Sequence, residues 1–89
     1  TTVVRLDVRT AEEFAAGHIE NAVNIDVLKP DFEQRACEVL PKDKVIAVNC
    51  RSGKRSKKAA GILVHEGYVV IELDKGYNAW VDEGHKVVK

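Results

Sequence analysis

Four short apolar runs alternate with four stretches of helical character along this chain, and that alternation constrains the fold more than any other feature of its 89 residues. Val3 to Val8 reads as a strand. Thr10-Ala11-Glu12-Glu13 then forms a capping box: the Thr10 hydroxyl serves the Glu13 amide, the Glu13 carboxylate reaches back, and a short helix runs to about Ala16 before Gly17. Ala22-Val23-Asn24-Ile25 is a second, brief strand. Asp31, after Pro30, opens a helix to about Leu40 with Phe32, Ala36, Val39 and Leu40 on its apolar side, and Pro41 closes it. Val45 to Asn49 is the central strand. Ser56 to Glu66 carries Ala59, Ile62 and Leu63 at helical spacing and ends at Gly67; Val69 to Leu73 is a further strand, and Tyr77 to Glu83 a last short helix. Strands and helices alternating through short connections imply an α/β fold, a small parallel sheet flanked by helices on both faces, and the length allows one domain, 1–89.

In such a sheet sites form at the carboxyl ends of the strands, and Cys50 stands at one. Cys50-Arg51-Ser52-Gly53-Lys54-Arg55-Ser56 carries the chain from a buried strand through a basic turn into a helix. Unpaired N–H groups and the positive end of the helix dipole converge there, which suits an anion or a thiolate. Arg51, Lys54 and Arg55 add formal charge, and Gly53 lets the backbone turn, so Cys50 is the candidate nucleophile. Lys57 and Lys58 read as the solvated face of the helix. The loops after Val8 and Leu73 are expected to open on the same edge, bringing Asp7, Arg9 and the Asp74-Lys75-Gly76 turn near the site.

Charge narrows the partners. Acidic and basic residues balance at 14 each, so no global field favours nucleic acid or a membrane surface, and the anion-attracting cluster after Cys50 suits a small partner. Cys37 and Cys50 match neither a redox pair nor a metal knuckle; no structural disulfide is expected, and Cys37 reads as a buried filler of its helix. His18 reads as a structural hydrogen-bonding residue, Asp7 and Arg9 as an architectural pair, and Trp80 as core; His65 and His85 lack metal-ligand spacing. No apolar run reaches the roughly 20 residues of a membrane span. The expectation is a soluble monomer, cytoplasmic unless a signal segment has been removed upstream.

Three motifs in order resemble the rhodanese family of sulfurtransferases over nearly the whole chain. Asp7-Val8-Arg9-Thr10-Ala11-Glu12-Glu13-Phe14-Ala15-Ala16-Gly17-His18-Ile19 with Ala22-Val23-Asn24-Ile25 is similar to its first signature. The Cys50–Ser56 segment resembles its active loop, and Gly76-Tyr77-Asn78-Ala79-Trp80 its closing signature. Two positions depart: Asn21 and Lys75 stand where the family commonly places glycine. The resemblance implies a thiosulfate sulfurtransferase in which Cys50 carries a persulfide. It further implies that the amides from Arg51 to Ser56 cradle the terminal sulfur, and that Arg51, Lys54 and Arg55 receive an anionic donor such as thiosulfate. The implied acceptor is cyanide, a small thiol or a sulfur-accepting protein, with no metal or organic cofactor.

Two other readings use the same cysteine. A thiol phosphatase or arsenate reductase also holds an oxyanion in an amide cradle, but such phosphatase loops place arginine six positions after the cysteine. Here Arg55 is the fifth and Ser56 the sixth. A carrier module would use the same persulfide to serve one partner protein.

Overall fold

The computed structural model describes residues 3–51, 53–72, 76–84 and 87–89. Strands β1 (Val3–Asp7), β3 (Val23–Asn24), β4 (Val45–Asn49) and β5 (Val69–Glu72) form a parallel sheet in the order β3-β1-β4-β5. Helices α1 (Ala11–Ala16), α2 (Phe32–Val39), α3 (Lys54–His65) and α4 (Gly76–Asp82) connect or follow them. The expected α/β architecture is the one observed.

Period-2 alternation decides which side chains meet α2 and α3. Leu6 and Val8 from the β1 end, and Ile46, Val48 and Cys50 along β4, are all buried in one cluster with Phe32, Ala36, Leu40, Ala59, Leu63 and Tyr68. Each fully buried aliphatic side chain of this kind contributes about 1.5–3 kcal/mol. Cys50 thus continues the inward series of β4 and lies beneath the head of α3. On the opposite face Arg5 of β1 places its guanidinium 5.1 Å from the Trp80 ring centre of α4.

The strand order also locates a cleft. From β1 the chain moves to β3 on one side and returns to β4 on the other, so the connection changes direction between β1 and β4. Leu6 and Asp7 of β1 pair with Val48 and Asn49 of β4. The loops that leave these two strands, through Arg9 and through Arg51, diverge from the same carboxyl edge.

Several local expectations need correction. Helix α3 begins at Lys54, two residues earlier than its apolar spacing implied, because Gly53 takes a left-handed conformation (φ 107°, ψ −14°) that turns the chain at once into the helix. Cys37 is exposed, and Val39 is 52% exposed. The buried stripe of α2 is Phe32, Ala36 and Leu40, spaced by four, which rotates positions 37 and 39 away from the core. The strand end at Leu73 and the Asp74-Lys75 turn lie outside the described residues. A small antiparallel pair, β2 (His18–Ile19) with β6 (Val87–Val88), joins segments whose sequences carry no hairpin signal. Asn21, standing at a family glycine position, has φ 69°; asparagine is among the few side-chain-bearing residues that adopt this region readily.

Candidate active site

Cys50 leaves β4 almost wholly buried (1% exposed), and the Gly53 amide donates to its Sγ at 3.0 Å. Gly53 is the N-cap of α3 and supplies no side chain to satisfy the first turn. The N–H groups of Lys54, Arg55 and Ser56 therefore belong to the turn whose amides have no intrahelical acceptor. Buried Ser56 spends its hydroxyl inside the turn, donating to the Gly53 carbonyl at 2.9 Å, and so fixes the geometry that presents the Gly53 N–H to sulfur. The Cys50 carbonyl accepts from the Tyr77 amide at 2.7 Å, anchoring α4 to the end of β4.

The cations behave differently from one another. Arg51 and Lys54 are exposed. Arg55 is engaged: its Nη1 and Nη2 donate to the two carboxylate oxygens of Glu13 at 2.8 and 3.1 Å. Those hydrogen bonds pull the Glu13 carboxyl from 4.5 down to about 2, and they favour the Arg55 cation in return. Glu13 meanwhile completes the capping box foreseen from the sequence, accepting from the Thr10 amide at 3.0 Å while its own amide donates to the Thr10 hydroxyl at 3.2 Å. Ser52 lies outside the described residues.

Arg9, Glu13, Ala16, Gly17, Arg51 and Tyr77 line a cleft of about 260 Å³ beside this loop. Its wall is rigid. Arg9 is buried and forks onto Asp7, with Nη2 to Oδ2 at 2.7 Å and Nε to Oδ1 at 3.0 Å; Nη2 also donates to the Gly17 carbonyl at 2.8 Å. The Tyr77 ring packs over the Arg9 guanidinium at 4.0 Å. Glycine at position 17 lets the Tyr77 ring lie close, since a Cβ there would meet the Tyr77 hydroxyl at 2.6 Å and push the ring aside. A larger groove of about 460 Å³ lies at the other edge of the sheet, lined by Val3, Val4, Arg5, Glu20 and Asn21, and contains no nucleophile.

Asp7 and Arg9 pair as expected, in the interior. His18 is structural as read, with Nδ1 2.8 Å from the Phe14 carbonyl and its ring stacked on Phe14 at 3.7 Å. Cys37 sits on α2, its Sγ 3.5 Å from Glu66 Oε1; loss of solvation, and then that carboxylate, push its thiol up, so its surroundings oppose a thiolate. No group of three or more His, Cys, Asp or Glu side chains suited to a metal ion occurs among the described residues. Within the same set no helix is long and apolar enough to cross a membrane. Sequence reasoning missed the second role of Glu13 and the part of Tyr77 in the cleft wall. No local signal encodes either contact, because the first spans 42 positions.

A parallel sheet with a cysteine at the end of a central strand, its sulfur accepting from the amide of the residue that caps the next helix, defines an α/β domain with a candidate thiol site. Residues 1–83 match the rhodanese-like domain family, and the chain belongs to that family of sulfurtransferase-type proteins. It is 43% identical over 89 residues to the protein HIGH ARSENIC CONTENT 1, mitochondrial, of Arabidopsis thaliana, covering 89% of this chain and 53% of that protein, so it spans about half of that relative. With thiosulfate sulfurtransferase 16, chloroplastic, of the same plant it shares 37% identity over 89 residues, covering 89% of this chain and 74% of the relative. The crystal structure of a rhodanese-related protein from Thermoplasma volcanium superposes with a TM-score of 0.87 at 32% identity, covering 98% of this chain and 84% of that one.

Proposed function

We propose that this domain moves sulfane sulfur from thiosulfate, or a related anionic donor, to a thiophilic acceptor through a persulfide on Cys50. The observation that carries the reading is the Gly53 N–H at 3.0 Å from Cys50 Sγ, at the head of a helix with no side-chain cap. In the first half-reaction the Cys50 thiolate attacks the outer sulfur of thiosulfate; the new S–S bond forms as the old one breaks, and sulfite leaves with the electron pair. In the second, cyanide or a thiolate takes the terminal sulfur and the Cys50 thiolate is regenerated. Each step keeps negative charge on sulfur beside Gly53, where a preorganised amide stabilises it without reorganisation. In this reading Arg51 and Lys54 attract the donor, Arg55 and Ser56 shape the turn, and Ser52 is assigned to donor binding on the resemblance alone. A sulfur-accepting protein could replace the small acceptor, since the persulfide is the same.

Mass spectrometry after thiosulfate treatment tests the proposal. The protein is expected to gain the mass of one sulfur atom on Cys50, to lose it to cyanide, and to lose all transfer on Cys50→Ser while Cys37→Ser retains most. Sulfur gained at Cys37, or none gained, overturns the reading. A second reading, reduction of arsenate at the same thiolate with a small thiol as the reductant, is favoured by the identity to a relative named for arsenic content. Arsenate-dependent oxidation of added thiol, lost in Cys50→Ser, is its test.

A further inference from the structure

The Glu13–Arg55 pair ties α1 to the head of α3 across 42 positions of the chain. Glu13 is the third residue of α1, already used to close the capping box with Thr10. Arg55 is the second residue of α3, in the turn whose head holds Cys50 Sγ. Their contact uses both outer guanidinium nitrogens and both carboxylate oxygens, a fork that fixes direction as well as distance. Both side chains are shielded, at 23% and 29% exposure, unlike a flexible surface pair. Thr10 holds the carboxylate from behind with its amide at 3.0 Å and its hydroxyl at 3.2 Å, so α1 acts as a fixed bracket for Arg55.

Arg55 stands two residues beyond Gly53, whose amide donates to Cys50 Sγ at 3.0 Å, so the bracket acts on the turn that holds the sulfur. After Glu13, the groups whose charge favours its cation are Cys50 and Asp26. Without the fork this long, partly exposed side chain would be free to turn into solvent, away from the sulfur.

We propose that Glu13 is a positioning residue of the active site: by clamping Arg55 across the gap between α1 and α3 it holds that guanidinium where it stabilises the Cys50 thiolate. The sulfur-transfer consequence rests on the function proposed above, whereas the effect on the thiolate does not.

The experiment uses Glu13→Gln, Arg55→Ala and the double variant, all in a Cys37→Ser background so that iodoacetamide reports Cys50 alone. Glutamine at the third helical position still closes a capping box, so α1 is retained and the charged fork alone is lost. The pH midpoint of Cys50 alkylation is expected to rise by about half a unit to one unit in Glu13→Gln, because an opposing charge near a thiolate is worth up to a few units and this one is partly solvated. Arg55→Ala should give a similar rise, and adding Glu13→Gln to it should change nothing further. Arg55→Lys should behave like Arg55→Ala, since an ammonium cannot form the fork. Thiosulfate kcat/KM should fall about threefold to tenfold with the same pattern, one unit of midpoint corresponding to a factor of ten. A midpoint that is unchanged or lowered in Glu13→Gln overturns the proposal, as does a Glu13→Gln effect that persists in the Arg55→Ala background. A shifted midpoint in a protein that transfers no sulfur from any donor would instead overturn the functional reading and leave the positioning role standing.

Discussion

Gly53→Ala and Gly61→Ala place the same methyl group in or at the head of one helix, and the structure requires them to act in opposite directions. Gly53 has φ 107°, where an alanine Cβ crowds the backbone at a cost of roughly 1–2 kcal/mol. A change of 1 kcal/mol moves Tm by about 4–8 °C in a domain of this size, so Gly53→Ala should melt lower by about 4–16 °C. If the turn relaxes to relieve the strain, the amide moves off Cys50 Sγ, now at 3.0 Å. Losing one hydrogen bond to charged sulfur costs about 1.5–3 kcal/mol, a roughly tenfold to hundredfold fall in turnover of thiosulfate with cyanide. Gly61, inside α3, is exposed, and its added Cβ would meet nothing within 4 Å. There alanine removes the conformational entropy penalty of glycine and gains about 0.8–1 kcal/mol, raising Tm by about 3–8 °C with turnover unchanged. Thermal melts and steady-state assays of both variants decide the matter. Gly53→Ala with wild-type Tm and turnover would refute the argument that this left-handed turn and its amide are required.

Arg51→Ala should raise KM for thiosulfate roughly tenfold or more, because Arg51 lines the cleft, whereas Lys58→Ala on the exposed face of α3 should change it by less than about twofold; equal effects would indicate diffuse attraction of anions. Asp7→Ala should destabilise the fold by about 3–5 kcal/mol in urea titrations, since it strands the buried Arg9 cation; a loss below 1 kcal/mol would show that Gly17 and Tyr77 suffice to hold Arg9. The carboxyl of Glu13 is depressed from 4.5 to about 2 in the folded protein, so its contribution to stability is fully present above about pH 5 and disappears as pH falls toward 2. The stability difference between wild type and Glu13→Gln should therefore be flat at neutral pH and shrink below pH 4.5; a gap that is unchanged at about pH 2 contradicts the ion pair.

Much of this protein is written locally. Apolar runs of four to five residues between helical stretches specified β1, β4 and β5 and hence a parallel sheet, because side-chain period and short connections leave few other ways to bury them. The capping box at Thr10 and Glu13 formed as read, since its partners are three residues apart. The placement of Cys50 was legible for the same reason: a strand end, a glycine and a helix start lie within a few residues, and their backbone geometry directs an amide at its sulfur. The helix boundary at Gly53 was missed by two residues, because apolar spacing reports which side faces the core and says nothing about where a left-handed turn begins the helix. Cys37 and Val39 were assigned to the interior from residue type, but α2 needed only Phe32, Ala36 and Leu40 to seal its face. What tertiary structure alone decided are the contacts between distant segments: His18 and Ile19 paired with Val88 and Val87, Tyr77 tied to the Cys50 carbonyl, and Arg55 turned from a free loop cation into the partner of Glu13. Local energetics can encode a cap or a period. Which charge meets which across 42 positions depends on the sheet order bringing α1 beside the head of α3, and that juxtaposition exists only once the whole chain has packed.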